Sequence, residues 1–154
     1  MTDAPDVTLR PITVEDSADL LAWRNDPLTR GNSRNPDAVT QQEHAAWLSR
    51  VTADPNWRVW IGVEGGVPVG TTSALRDDGG TVEISVTVAP AARGHGLAAV
   101  LVRLAVARAR EIWPDARIRA EIKPDNRASR KAFESCGFVE TEAHDGLLDY
   151  EFRG

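Results

Sequence analysis

Alternation of apolar and polar positions marks most of this chain as strand or helix. Val7-Thr8-Leu9-Arg10-Pro11-Ile12 alternates with period two and reads as a first strand, with Pro11 at an edge or strand end. Ala18, Leu21 and Ala22, with Leu20 and Trp23 beside them, form a helical stripe that predicts a helix from about Glu15 to Asn25. Asp26-Pro27 ends it, because the residue before a proline is pushed out of helical geometry. Residues 28–39, rich in Gly, Asn, Ser and Pro, read as loop. Thr40-Gln41-Gln42-Glu43 is a capping box and opens a helix to about Val51.

The middle of the chain alternates again. Trp57 to Val63 is a strand, Gly65-Gly66 a hairpin turn, Val67 to Leu75 a strand, and Asp77 to Gly80 a turn. Val82 to Val88 alternates throughout, with Val82, Ile84, Val86 and Val88 on one face. Pro90 to Ala98 is a turn into a long helix, Leu97 to Ile112, which Pro114 stops. Ile118 to Ile122 is a short strand. A helix from Asp125 or Asn126 ends at Gly137, a residue suited to a left-handed C-cap. Phe138 to Thr141 and Leu147 to Phe152 are the last strands. This order predicts an α/β fold: a mixed, mostly antiparallel central sheet of about seven strands with helices on both faces.

Composition narrows the class. A chain of 154 residues with 42% hydrophobic content fits one domain, residues 1–154, with one core. A formal net charge of -5 argues against nucleic acid as the main partner. Cys136 is the single cysteine, so no intramolecular disulfide forms, the Cys/His patterns of zinc sites are missing, and no metal is expected. The lone thiol suits a reducing cytoplasm. The polar, acidic start, MTDAPDVTLRP, lacks a signal-peptide pattern, and no apolar run has spanning length, so no membrane partner is expected.

The strongest local signal is Arg93-Gly94-His95-Gly96-Leu97-Ala98, which joins a strand to a long helix. Glycines let a ligand approach the main chain closely, and free N–H groups at a helix N-terminus favour an anion. A pyrophosphate fits, with Arg93 adding positive charge. No Gly-Lys-Ser/Thr triplet occurs, which sets aside a nucleoside-triphosphate P-loop. Two glycines among hairpins do not make a dinucleotide fingerprint.

With this turn, the chain resembles the Gcn5-related N-acetyltransferase family. Arg93-Gly94-His95-Gly96-Leu97-Ala98 follows its Arg/Gln-x-x-Gly-x-Gly/Ala pattern, and Asn126 to Phe138 follows its Asn-x-x-(Ala/Ser)-x-x-x-(Tyr/Phe)-x-x-x-Gly-Phe segment. The resemblance implies acetyl-CoA as cofactor. It implies that the backbone of Val86 and Val88 pairs with the pantetheine arm as an added strand would, and that the amides of Arg93, Gly94, Gly96, Leu97 and Ala98 bind pyrophosphate. His95 lies inside the same turn, facing solvent or phosphate. Asn126 contacts the cofactor, caps a helix, or both. Phe133 stands where many members have a tyrosine, which leaves the leaving-group acid open; Ser129, one turn earlier, carries a hydroxyl. A homodimer is common in the family.

The front half resembles amino-sugar and sugar-nucleotide N-acetyltransferases through Trp23-Arg24-Asn25-Asp26-Pro27 and Gln42-Glu43-His44-Ala45-Ala46-Trp47-Leu48. That resemblance implies a small-molecule amine as partner, with Trp23, Arg24, Asn25 and Trp47 on the substrate side; core packing is the other role for the tryptophans. Similar front halves act on protein N-termini. Amine attack on a thioester needs a neutral amine and therefore a general base. Glu83 is the first choice, about 16 Å from Val88 along a straight strand, or else a solvated glutamate. His44 is the second. The alternatives are an enzyme for a protein N-terminus or lysine, and a non-catalytic acyl-CoA-binding module.

Overall fold

The computed structural model describes residues 6–154; the start of the N-terminal segment read above for targeting signals lies outside them. Strand β1 (Val7–Pro11) is followed by a 3-10 turn at Val14–Asp16 and helices α1 (Ser17–Asn25), α2 (Pro27–Asn32) and α3 (Gln41–Ala53). Strands β2 (Trp57–Glu64), β3 (Val67–Arg76) and β4 (Val82–Val88) come next, then α4 (Leu97–Ile112), β5 (Ile118–Ile122), α5 (Arg127–Ser135), β6 (Phe138–His144) and β7 (Leu147–Phe152). The strands form one seven-stranded sheet in the order β1-β2-β3-β4-β5-β7-β6. Every neighbouring pair is antiparallel except β4 and β5. Among the described residues no helix is long and apolar enough to cross a membrane.

Helices cover both faces because the strands alternate. On β2, Trp60 packs into the core under α4, whereas Val59 and Ile61 pack under α1 and α3 with Leu20, Trp23, Leu48 and Val51. Val82 and Ile84, with Val86 and Val88 packed beside them, face α4 as the alternation requires. The 16-residue α4 presents Leu97, Leu101, Val102, Ala105, Val106 and Ala109 as one buried stripe. Leu101 sits so close to β2 that a Cβ on Gly62 would lie 2.3 Å from its terminal methyl, so a side chain there would displace the buried Leu101.

The structure departs from the sequence reading at three places. Residues 28–39 are not all loop: Pro27–Asn32 is helical. The Asp26-Pro27 pair that ends α1 also starts α2, because Asp26 accepts from the amides of Leu28 (3.1 Å) and Thr29 (3.2 Å) and proline is preformed for the first helical position. The expected start of α1 near Glu15 is a 3-10 turn, with the α-helix beginning at Ser17. Strand β6 runs on to His144, past the expected end at Thr141, because it pairs with β7 up to a tight turn at Asp145-Gly146.

The feature that matters most for function is a gap in the sheet. Strands β4 and β5 pair only at Val82–Ile118 and Glu83–Arg119. Beyond Glu83, β4 continues alone on that side for five residues, to Val88.

Candidate active site

The splay opens a cleft of about 900 Å³, walled by β4, the start of α4, the end of β5, α5 and α2. Its geometry follows from strand chemistry. The Val82 amide donates across to Arg117 on the β5 side (2.8 Å), while the Ser85 carbonyl accepts from Thr72 on the β3 side (2.7 Å). Main-chain groups alternate in direction along a strand. The amides and carbonyls of Val86 and Val88, with the Ile84 carbonyl, therefore point into the gap, where no strand meets them. An extended chain of alternating donors and acceptors would complete the ladder.

At the far end of β4 the Arg93–Ala98 turn enters α4. Gly94 and Gly96 have φ of 85° and 72°, a left-handed conformation that glycine adopts without strain, and no other group lies within 4 Å of where their side chains would be. Gly96 caps α4, so the first amides of a long helix face open space at the cleft. Arg93, Gly94, Gly96, Leu97 and Ala98 all line it; His95 is exposed and lies outside the lining. The Arg93 guanidinium does not reach toward the glycines. It is ion-paired with Asp26 and donates to Thr29 Oγ1 (3.3 Å), and this pairing holds the Asp26 carboxyl below its ordinary range. Arg93 thus ties the turn to the cap of α2.

On the opposite wall, Asn126 accepts from the Ser129 amide (3.2 Å) and so caps α5 while lining the cleft; Ser129 and Phe133 line it too. The Phe133 ring is 3% exposed and meets Phe138 edge-on, with centroids 4.9 Å apart. Tyr150, the chain's one phenol, is fully buried, donating to Glu134 (2.9 Å) and accepting from Arg130 (3.1 Å), so it stands outside the cleft. Arg130 is engaged there, which leaves Lys131 as the basic side chain of α5 on the lining.

The other end of the cleft is charged. Glu83 lines it and accepts from Arg34 (3.0 Å) with one oxygen and from Arg119 (3.2 Å) with the other. Arg34 also pairs with Glu121, and Arg119 with Asp149 (2.9 Å). His144 bonds Asp149 (2.9 Å), which raises the His144 pKa above its ordinary value. These charges share one face: Ile118, Ala120 and Ile122 of β5 point into the core, so Arg119 and Glu121 point away from it, as Glu83 does on β4.

The structure keeps the other sequence candidates out of the cleft. His44 is 4% exposed, stacked near Trp47 (5.2 Å) and within 3.3 Å of Ser17 Oγ; burial lowers its pKa. It has no route to a substrate in the cleft. Trp23 is in the core, and Trp47 packs against the same cluster. Arg24 and Asn25 hold the loop after α2: Arg24 donates to the Asn35 carbonyl (2.7 Å), and Asn25 exchanges two bonds with Val39 (2.8 and 2.7 Å). The front-half motif builds the wall rather than lining it. Instead, Trp57, Arg34, Glu121 and Lys123 face the cleft. Glu121 follows from alternation on β5, but only once β5 is known to lie beside β4.

This combination of a splayed β4, a glycine turn into α4 and a second wall from α5 defines an acyl-carrier-binding transferase fold. The model of the acetyltransferase (GNAT) domain family matches residues 6–139, and the chain belongs to that family. No curated protein matches the sequence significantly. Among solved structures, the chain is similar to a ribosomal-protein-alanine N-acetyltransferase from Brucella melitensis (28% identity, 94% of this chain and 98% of that one, TM-score 0.78). It is also similar to the aminoglycoside acetyltransferase AAC(6′)-Ib with ribostamycin and coenzyme A (24% identity, 94% and 91% covered, TM-score 0.79). A third is a spermidine N-acetyltransferase from Vibrio cholerae with CoA and spermine (18% identity, 94% and 92% covered, TM-score 0.81).

Proposed function

We propose that this protein transfers the acetyl group of acetyl-CoA to a primary amine of a small molecule, with Glu83 as general base. The observation that carries the reading is the free edge of β4 leading straight to the glycine turn. The donor, acetyl-CoA, supplies an activated acetyl thioester whose C–S bond breaks as the C–N bond forms. Val86 and Val88 offer main-chain pairing to its arm, and the amides of Gly94, Gly96, Leu97 and Ala98 receive its pyrophosphate. Lys131 on the lining suits the remaining phosphate.

Glu83 lies at the acceptor end and removes the ammonium proton, directly or through water, so that a lone pair is free to attack. Phe133 offers no proton to a leaving sulfur, and Tyr150 is sealed in the core; of the two α5 hydroxyls on that wall, Ser135 donates to the Ala132 carbonyl, and Ser129 lies on the same face as Phe133 one turn earlier. Positioning therefore carries most of the catalysis. A small acceptor is favoured over a protein chain because α2 is tied across the mouth, where Lys123, just past β5, donates to the Gly31 carbonyl (2.8 Å).

The test is release of free CoA from acetyl-CoA in the presence of amino sugars, polyamines, amino acids and N-terminal peptides. Release with one of the small amines is expected. Release with peptides alone would transfer the reading to a protein substrate. Heat protection by acetyl-CoA without release by any amine would make the chain a binding module.

A further inference from the structure

We infer that Arg34 is an internal competitor for the acceptor's ammonium group, and that the acceptor is consequently a polycationic amine free of nearby anions. The inference rests on the acetyltransferase reading of the cleft and adds the class of acceptor.

One nitrogen of the Arg34 guanidinium bonds both Glu83 and Glu121. Two carboxylates from neighbouring strands thus converge on a single cationic N–H group, inside the cleft and at its acceptor end. That is the environment an alkylammonium requires. The carboxylates are well protected, at 24% and 11% side-chain exposure, and Arg34 itself is 62% exposed. Its partners therefore belong to the rigid sheet, while Arg34 reaches in from the loop between α2 and α3. A long, solvated side chain holding an ion pair from the surface contributes little net stability, so another cation can replace it at small cost.

Charge balance decides which acceptors can make the exchange. Two guanidiniums, Arg34 and Arg119, and the His144 imidazole face three carboxylates, Glu83, Glu121 and Asp149. When Arg34 leaves, Glu83 and Glu121 both lose a cation, and Arg119 and His144 remain against the three. A diamine compensates the loss, because one ammonium can give its proton to Glu83 while a second remains against Glu121. An amine bearing a carboxylate or phosphate brings a negative group into the same field and leaves Arg34 in place. Removing Arg34 also frees the Glu83 oxygen it occupies, so displacement and unmasking of the base are one event.

The experiment compares the wild type with Arg34→Gln, both saturated with CoA, by calorimetric titration of 1,4-diaminobutane, 4-aminobutan-1-ol and 4-aminobutanoate. The diamine is expected to bind the wild type more tightly than the other two, and to bind Arg34→Gln about tenfold more tightly still. Both preferences should shrink as salt is raised. Glu121→Gln in the Arg34→Gln background should abolish the gain, while a thermal melt confirms that each variant is folded. Equal or weaker diamine binding by Arg34→Gln overturns the inference, as does tighter binding of 4-aminobutanoate by the wild type, or no diamine binding by either protein. If the diamine behaves as described and no amine releases CoA, the transferase reading fails and the role of Arg34 stands. If amines are acetylated and Arg34→Gln gains no affinity, the reverse holds.

Discussion

Glu83 stands between two guanidinium groups, one fixed in the sheet and one on a loop, and the difference governs what it can do. Arg119 holds one carboxylate oxygen from the sheet, while the more exposed Arg34 holds the other. Glu83→Gln keeps the shape and removes the proton acceptor. Turnover at pH 7 is expected to fall by about 10²-fold, in the lower range for general-base catalysis, with acetyl-CoA affinity unchanged. The deficit should narrow as pH rises toward the amine's own pKa, where solvent has already removed the proton. Stopped assays across pH check this, and a Gln variant with wild-type turnover throughout removes Glu83 as base. His44 makes a contrasting prediction, about stability. Burial lowers its pKa in the folded protein, so the unfolded chain takes up the proton first. Its contribution is complete above the ordinary histidine pKa near 6.5 and is lost as pH falls below that value. His144 has the opposite shift and therefore the opposite slope. Denaturation midpoints of the wild type minus those of His44→Gln should thus decline from pH 7 to pH 5; a flat difference would show that His44 is not buried neutral.

The glycine turn and α4 are legible in the sequence because their logic is local. A left-handed cap, a free helix start and a buried stripe at helical spacing all lie within Arg93 to Ile112. The same holds for the capping box of α3, where Thr40 Oγ1 accepts from the Glu43 amide (3.1 Å). The acceptor wall is not local. Trp23, Arg24 and Asn25 look like ligands for a substrate, yet they pack the core and hold the loop that carries Arg34, because α2 lifts that loop toward β5. Glu121 is invisible until β5 is placed beside β4, a pairing that spans the whole of α4. Gly96→Val tests the legible part. A β-branched side chain at φ of 72° is strained and enters the open space beside the helix start. Acetyl-CoA affinity is expected to fall by more than tenfold, or over about 1.4 kcal/mol. Gly96→Ala should lose less, since it adds only a methyl group; calorimetry on the folded variants separates steric blockage from backbone strain.

The sheet is divided into β1–β4 and β5–β7, joined edge to edge by only Val82–Ile118 and Glu83–Arg119. Core packing carries the rest of the union: Val82, Ile84, Ala120 and Tyr150 from the two halves belong to one buried cluster that includes the stripe of α4. A ligand lying along β4, with its pyrophosphate at α4 and its far wall on α5, touches every part of this join. Its binding should therefore stabilise the protein globally rather than fix one loop. At a concentration of 100 Kd a ligand adds about 2.7 kcal/mol. At roughly 2–4 °C per kcal/mol for a chain of this size, the melting temperature should rise by about 5–10 °C. Amide exchange locates the same event. The amides of Val86 and Val88, which face the gap, should slow strongly on adding acetyl-CoA, whereas those of Ser85 and Thr87, already paired with β3, should change only with the global stability. Uniform slowing of all four would show that the ligand stabilises the fold without lying along the free edge of β4.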